Sequence, residues 1–286
     1  MDPLSFYTKP GPFTDLGKHA SLVSDVSDDI ASLCQAVQNN IVHVFSAERL
    51  GLKLTEEKKQ TLEIRPVSEK LDIIAQTDNR PLSRARPLGQ RQVGNCRDYT
   101  LLLVSMMRHK NIPSRARCGF GTYFEPGKYV DHWVGEYWNA AERRWIMVDS
   151  ELDKGAIGFF KIKFDPFDVP AEKFITAGKA WQMCRSGKAD PDKFGILDMH
   201  GLRFVWGDVV RDFLALNKIE ILPWDGGWGF LNCKLSDPLP DEDTLKLYDK
   251  IAQLTVDINE RFDEVRAYYK EEPMFRVPTE WAIREE

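Results

Sequence analysis

Between Cys96 and Lys110 the chain runs C-R-D-Y-T-L-L-L-V-S-M-M-R-H-K, and this stretch constrains the fold more than any other. Leu101, Leu102, Leu103, Val104, Met106 and Met107 leave little of a helix circumference polar. Such a helix belongs inside a core, with other elements against it on most sides. Asn111-Ile112-Pro113 ends it, because proline lacks an N–H and disfavours helical backbone in the residue before it. The spacing therefore predicts a buried helix over 96–110. Its first residue is a cysteine that follows Gly94-Asn95. Helix starts leave backbone N–H groups unpaired and carry partial positive charge. Both favour thiolate, the reactive form of cysteine. Cys96 is thus a candidate nucleophile, against the plainer reading of a small buried hydrophobe.

Three strands are expected after the helix: Ser114–Gly121, Asp131–Trp138 and Arg143–Asp149, the last two joined by the turn-like 139–142. If Trp138 pairs with Arg143, His132 lies directly opposite Asp149, with Cβ atoms ~4.5–5.5 Å apart. A slip of one residue would part them. Cysteine, histidine and aspartate in this order supply a nucleophile, a general base and an orienting carboxylate.

Net charge is -5 over 286 residues, with 43% hydrophobic residues. That balance argues for a globular protein and against a nucleic-acid partner. No apolar run has membrane-spanning length. M-D-P-L-S-F-Y-T-K-P-G-P lacks the basic start and apolar core of a secretory signal, so the expected compartment is the cytoplasm. Cysteines 34, 96, 118, 184 and 233 are odd in number and scattered, which speaks against a disulfide framework. No C-x-x-C or H-x-x-x-H spacing supports a metal set drawn from Cys96, Cys118, His109 and His132. Calcium loops, P-loops and dinucleotide fingerprints are also missing from the sequence. The expectation is no metal and no cofactor.

Three segments are expected. Residues 1–20 read as an irregular arm, 21–165 as the core, and 166–286 as a mainly helical extension packed on it. Val26, Ile30, Leu33, Val37, Ile41 and Val44 predict one helix, capped at Ser24 or Asp25. A weaker helical signal spans 51–75, and 78–90 reads as loop. Further on, Val169–Ser186 and Gly207–Asn217 read as helices and 222–230 as an aromatic, glycine-rich loop. One helix is expected over 241–270. Asp208, Arg211, Asp212, Asn217, Glu220, Trp224 and Asp225 form an unusually polar stripe, read either as surface or as a cluster closing over a cleft.

The chain resembles the transglutaminase-like superfamily of papain-type cysteine enzymes. The resemblance rests on G-N-C-R-D-Y-T-L-L-L-V-S-M-M-R-H-K-N-I-P-S-R-A-R-C-G-F, D-H-W-V-G-E-Y-W and R-W-I-M-V-D, roughly residues 85–155. Asn111 stands where the family pattern has glycine, at a turn position that asparagine tolerates. The flanks are similar to those of bacterial stand-alone transglutaminase-like proteins. The resemblance implies an α+β, papain-like fold in which a central helix carrying the cysteine packs on an antiparallel sheet. It also implies a Cys96–His132–Asp149 triad forming a thioester on an amide, resolved by water or by an amine. The oxyanion would sit at the Cys96 N–H and one further donor, with Gln90, Gln92 and Trp133 as candidates. Shortness and the lack of β-rich accessory domains favour a small-molecule or peptide amide over protein cross-linking. Arg91, Arg97, Arg115, Arg117 and Trp133 are the candidate substrate contacts, and the arginines would suit an anionic substrate. The arginines also have a bland reading, as partners of acids. Glu136 is expected to pair with an arginine. The alternative function is a binding module that keeps the fold without catalysis.

Overall fold

The computed structural model describes residues 2–278 and Trp281. In chain order the elements begin with α1 (Pro3–Thr8), α2 (Ile30–Asn40), β1 (Ile41–His43), α3 (Val44–Ala47), α4 (Glu56–Gln60) and α5 (Val67–Thr77). Then come β2 (Gln92–Gly94), α6 (Cys96–His109), β3 (Ser114–Gly121), β4 (Tyr129–Asn139), β5 (Arg144–Val148) and α7 (Lys154–Phe160). The chain continues through β6 (Phe174–Thr176), α8 (Ala177–Arg185), β7 (Phe194–Ile196), β8 (Met199–His200) and α9 (Leu202–Leu216). It closes with α10 (Glu242–Val256) and α11 (Phe262–Glu271). The fold is α+β. β6, β3, β4, β7 and β8 follow one another in the main sheet, and β5 also pairs with β4. The β3–β6, β4–β5 and β7–β8 joins are antiparallel. The short β4–β7 join is parallel, so the sheet is not antiparallel throughout. No helix among the described residues is long and apolar enough to cross a membrane.

Chain contacts define two compact units. One comprises residues 2–116 and 134–169. At its centre lies α6, touched by α1, α2, α5, β1 and β2. Leu103 and Met107 of α6 also approach Gly135 of β4 so closely that a Cβ there would lie 3.2 Å from Leu103 Cδ2. The helix ends where the sequence predicts: Asn111 takes the left-handed conformation at φ 59°. Within residues 2–20 the chain forms the short helix α1 and packs against the unit. Asp2 caps α1, and Phe6, Tyr7, Phe13 and Leu16 are buried. The limits of the expected segments at residues 1 and 286 lie outside the described residues.

The helix expected from Val26 to Val44 is shorter and starts later. Asp29, not Ser24 or Asp25, accepts from Ser32 N at 2.8 Å. The helix stops at Asn40, and Ile41–His43 pair in parallel with Gln92–Gly94. Strand pairing overrides the helical spacing there, because a buried backbone needs partners wherever the fold offers them.

The second unit comprises residues 117–133 and those from 170 on. Here α8, α9 and α10 pack on one another. Trp206 of α9 stacks on Tyr248 of α10 at 3.5 Å between ring centroids. The expected 241–270 helix is two helices, broken between Val256 and Phe262. Ile258, Phe262 and Val265 are all buried, so the apolar spacing runs straight through the break. The polar Asp257 and Asn259 mark it, since short amide and acid side chains compete for the backbone. The Val169–Ser186 helix is likewise shorter, because its first part forms β6.

Candidate active site

Cys96 is the first residue of α6. Asn95 in front of it is extended, and its side chain accepts from Asp98 N at 3.2 Å. Asp98 returns the bond, taking the Asn95 N–H on Oδ2 at 3.1 Å. This reciprocal box satisfies helix-start donors on both sides of the thiol. Lys70 sits 3.0 Å from Asp98 Oδ2, so the box carries a buried counter-ion. The helix start thereby holds the cysteine in a fixed place beside positive backbone charge.

The other thiols differ in setting, but burial acts on each in the same direction. Burial pushes the Cys34 thiol far up, with Asp149 and Asp29 adding to it. Burial does the same to Cys118. Cys184 is pushed up to about 12, again chiefly by burial.

His132 lies on β4, in the second unit, and is 2% exposed. Phe124 meets its ring edge-on at 4.7 Å between centroids, and Tyr123 at 6.1 Å. Gly121 allows this: a Cβ there would fall 2.7 Å from Phe124 Cε2. The imidazole is thus walled by aromatic rings that keep water off it. Asp149 belongs to the first unit, directly after β5, and accepts from Glu151 N at 3.0 Å.

The strand register differs from the expected one by two residues. Trp138 pairs with Trp145, not Arg143, and Gly135 with Val148. Carried one step on, Val134 rather than His132 falls opposite Asp149. A shift of two preserves the side of the strand, so His132 keeps the parity that the expectation required. Asn139 pairs with Arg144, so the turn keeps four residues but falls at 140–143, one position further along, with Arg143 at φ 53°.

The arginines near the thiol point mostly inward. Arg97 is fully buried, gives Nη2 to Arg65 O at 3.0 Å and lies 3.4 Å from Asp98. Arg115 pairs with Glu136 at 2.6 Å and lies over the Trp145 ring at 4.0 Å. Arg117 holds Asp212 through two bonds, of 2.9 and 2.8 Å. Arg97, Arg115 and Arg117 are thus each paired with an acid inside the fold. Trp133 is buried, and its Nε1 has no hydrogen-bond partner among the described residues. Gln92 is committed elsewhere, with Nε2 on Thr61 Oγ1 at 2.7 Å. Arg91 differs. It gives Nε to Arg86 O and Nη1 to Gln38 O, and it lines a cavity of about 60 Å³ beside His43, Tyr99, Glu151 and Asp153.

Most of the polar stripe beginning at Asp208 is not surface. Asp208, Asp212, Asn217, Glu220 and Asp225 are buried, while Trp224 is half exposed. Sequence reasoning also did not single out Asp131, which the fold brings close to Cys118 and Asp208. Its place next to His132 was the available signal, but nothing local shows that α9 brings Asp208 to it.

Residues 48–150, a little over a third of the chain, match the family model of the transglutaminase-like superfamily. The match contains Cys96, His132 and Asp149. No curated protein matches the sequence. Among solved structures, the chain is similar to one from Cytophaga hutchinsonii described as "a Putative Cysteine Protease", at 14% identity and a TM-score of 0.37. The similarity covers 62% of this chain and 46% of that one, so the chain spans under half the length of that structure.

Proposed function

We propose that the protein is a cysteine enzyme that cleaves or transfers acyl groups through a thioester on Cys96. The observation that carries this reading is Cys96 at the first residue of a capped, buried helix. The match of residues 48–150 to the transglutaminase-like family supports it.

In the reaction, His132 takes the proton from Cys96 Sγ as the sulfur attacks an amide carbonyl. The developing oxyanion meets the Cys96 N–H and the positive end of α6. Collapse breaks the C–N bond, and His132 returns its proton to the departing amine. Asp149 orients the imidazole and offsets its charge while it is protonated. Water or a second amine then attacks the thioester, and His132 removes the attacker's proton. The product acid or amide leaves, and the thiol is regenerated. The substrate class is a small-molecule or peptide amide, with Arg91 as a candidate contact for an anionic group.

Intact-protein mass spectrometry after incubation with a library of peptide and small-molecule amides tests this. A mass gain equal to an acyl fragment in wild type, absent in Cys96→Ala, is expected. Hydroxylamine should discharge it. An adduct that persists in Cys96→Ala would remove the thiol from the mechanism. Tight binding of amides without turnover by either protein would favour a binding module instead.

A further inference from the structure

Three chemistry-bearing side chains of the second unit converge away from the thiol. Cys118 comes from β3, Asp131 from β4 and Asp208 from α9, and each offers a ligand atom within 4.8 Å of the others. All three are buried, with Asp131 8% and Asp208 1% exposed. Asp131 Oδ1 and Asp208 Oδ2 have no hydrogen-bond partner among the described residues. An unsatisfied buried acceptor costs about 1–3 kcal/mol, and more when it is charged. Two neighbouring carboxylates add repulsion to that.

The cations at hand only partly offset this. Arg211 Nη1 lies 3.3 Å from Asp208 Oδ1. Arg117 is held by Asp212, which also accepts the Cys118 N–H at 3.0 Å. Arg211 and the His132 imidazole are the cationic or protonatable groups facing the cluster, and Cys118 bonds to Asp208, which leaves the three groups able to be anionic only partly compensated.

We propose that Cys118, Asp131 and Asp208 bind one divalent transition-metal ion of the zinc class, tying β3, β4 and α9 together. A sulfur donor beside two carboxylates suits zinc and excludes the all-oxygen preference of magnesium and calcium. The charges balance. A thiolate, two carboxylates, Arg211 and a divalent ion sum to zero. Without the ion, neutrality needs two protons, one on sulfur and one on a carboxyl group. Binding therefore releases two protons, and no electron changes place. The fourth coordination position falls to the second oxygen of a carboxylate or to water.

The test uses the full chain in a Cys96→Ala background, so that the proposed catalytic thiol cannot supply the sulfur. Cobalt(II) and zinc(II) are the probes. One cobalt per chain, with a thiolate-to-cobalt charge-transfer band, is expected. Cys118→Ser should abolish the band, and Asp208→Asn should weaken binding at least about tenfold, since each removes one of three ligands. X-ray absorption at the zinc edge keeps the proposal testable should either variant fail to fold. It should show one sulfur at ~2.3 Å together with oxygen neighbours. No stoichiometric binding, no sulfur in the zinc shell, or a band that survives Cys118→Ser would overturn the site. The two carboxyls would then be a pair that shares a proton.

Discussion

Asn95 and Asp98 hold each other across Cys96. The Asn95 side chain accepts the Asp98 N–H at 3.2 Å, and the Asp98 carboxylate accepts the Asn95 N–H at 3.1 Å. The residue proposed to react is enclosed by the bonds that start its helix, so the stability of α6 and the placement of the thiol depend on the same atoms.

Asn95→Ala removes one half of this box. Loss of an N-cap side chain costs about 1 kcal/mol. Asp98→Ala should cost more, about 3–5 kcal/mol, because it also strands the buried Lys70 ammonium that lies 3.0 Å from it. Urea unfolding of the two variants checks the order. An Asp98→Ala loss no larger than that of Asn95→Ala would show that Lys70 finds water or another partner.

Lys70 makes the same cluster sensitive to alkali. Burial lowers its proton affinity, and Asp98 only partly restores it. The folded chain therefore releases this proton at lower pH than the unfolded chain, whose lysine titrates near ~10.4. Between the two values the unfolded state binds more protons, so stability from this group rises with pH. Wild type should gain on Lys70→Met as pH climbs from 8 toward about 10.4. Chemical denaturation of both proteins across that range reads the difference, and a constant gap would contradict the lowered affinity.

Thiol reactivity should be unequal. Cys34 and Cys118 are fully buried with proton affinity raised by that burial, and Cys184 is held at about 12. Iodoacetamide at neutral pH should label Cys96 at least about tenfold faster than any of these three, because only the thiolate reacts. Peptide mapping by mass spectrometry resolves the sites. Equal labelling of Cys96 and Cys184 would argue that the helix start does not activate the thiol.

In the second unit, Arg117 and Asp212 form a buried pair through two bonds, and Arg117 also donates to Thr255 O. Arg117→Ala leaves Asp212 as a buried, poorly compensated charge and should cost about 3–5 kcal/mol. Removing both charges as Arg117→Met with Asp212→Leu should recover part of that loss. Melting temperatures of the single and double variants decide it. A double variant worse than the sum of its parts would assign Asp212 a further role, through the Cys118 N–H it accepts.

Close packing of α8 against α10 depends on Gly178. A Cβ there would lie 2.1 Å from Thr255 Oγ1 and 2.5 Å from Ala252 O. Gly178→Ala must therefore push the helices apart, at about 1–3 kcal/mol for overpacking, despite the better helix propensity of alanine. Thermal unfolding measures it. A stabilised variant would mean that the helices separate at no cost.

The sequence by itself determined the elements whose signals are local. The apolar run from Leu101 to Met107, with Asn111 and Pro113 after it, fixed α6 to within a residue, because helix periodicity, a turn-permissive asparagine and a proline all act over a few residues. It also defined β3, and it put a cysteine at a helix start. Tertiary structure alone decided the rest. Whether Ile41 continues a helix or pairs with Gln92 depends on a strand about fifty residues away. The two-residue register difference between β4 and β5 comes from the four-residue turn falling at 140–143 rather than 139–142, a shift that the alternating side-chain pattern leaves open. The fate of the arginines depended on which acids reach them: Glu136 for Arg115 and Asp212 for Arg117, the latter 95 residues distant. The cluster of Cys118, Asp131 and Asp208 has no spacing at all in sequence. It exists because β3, β4 and α9 pack together, and only long-range packing can collect buried charges from three separate elements.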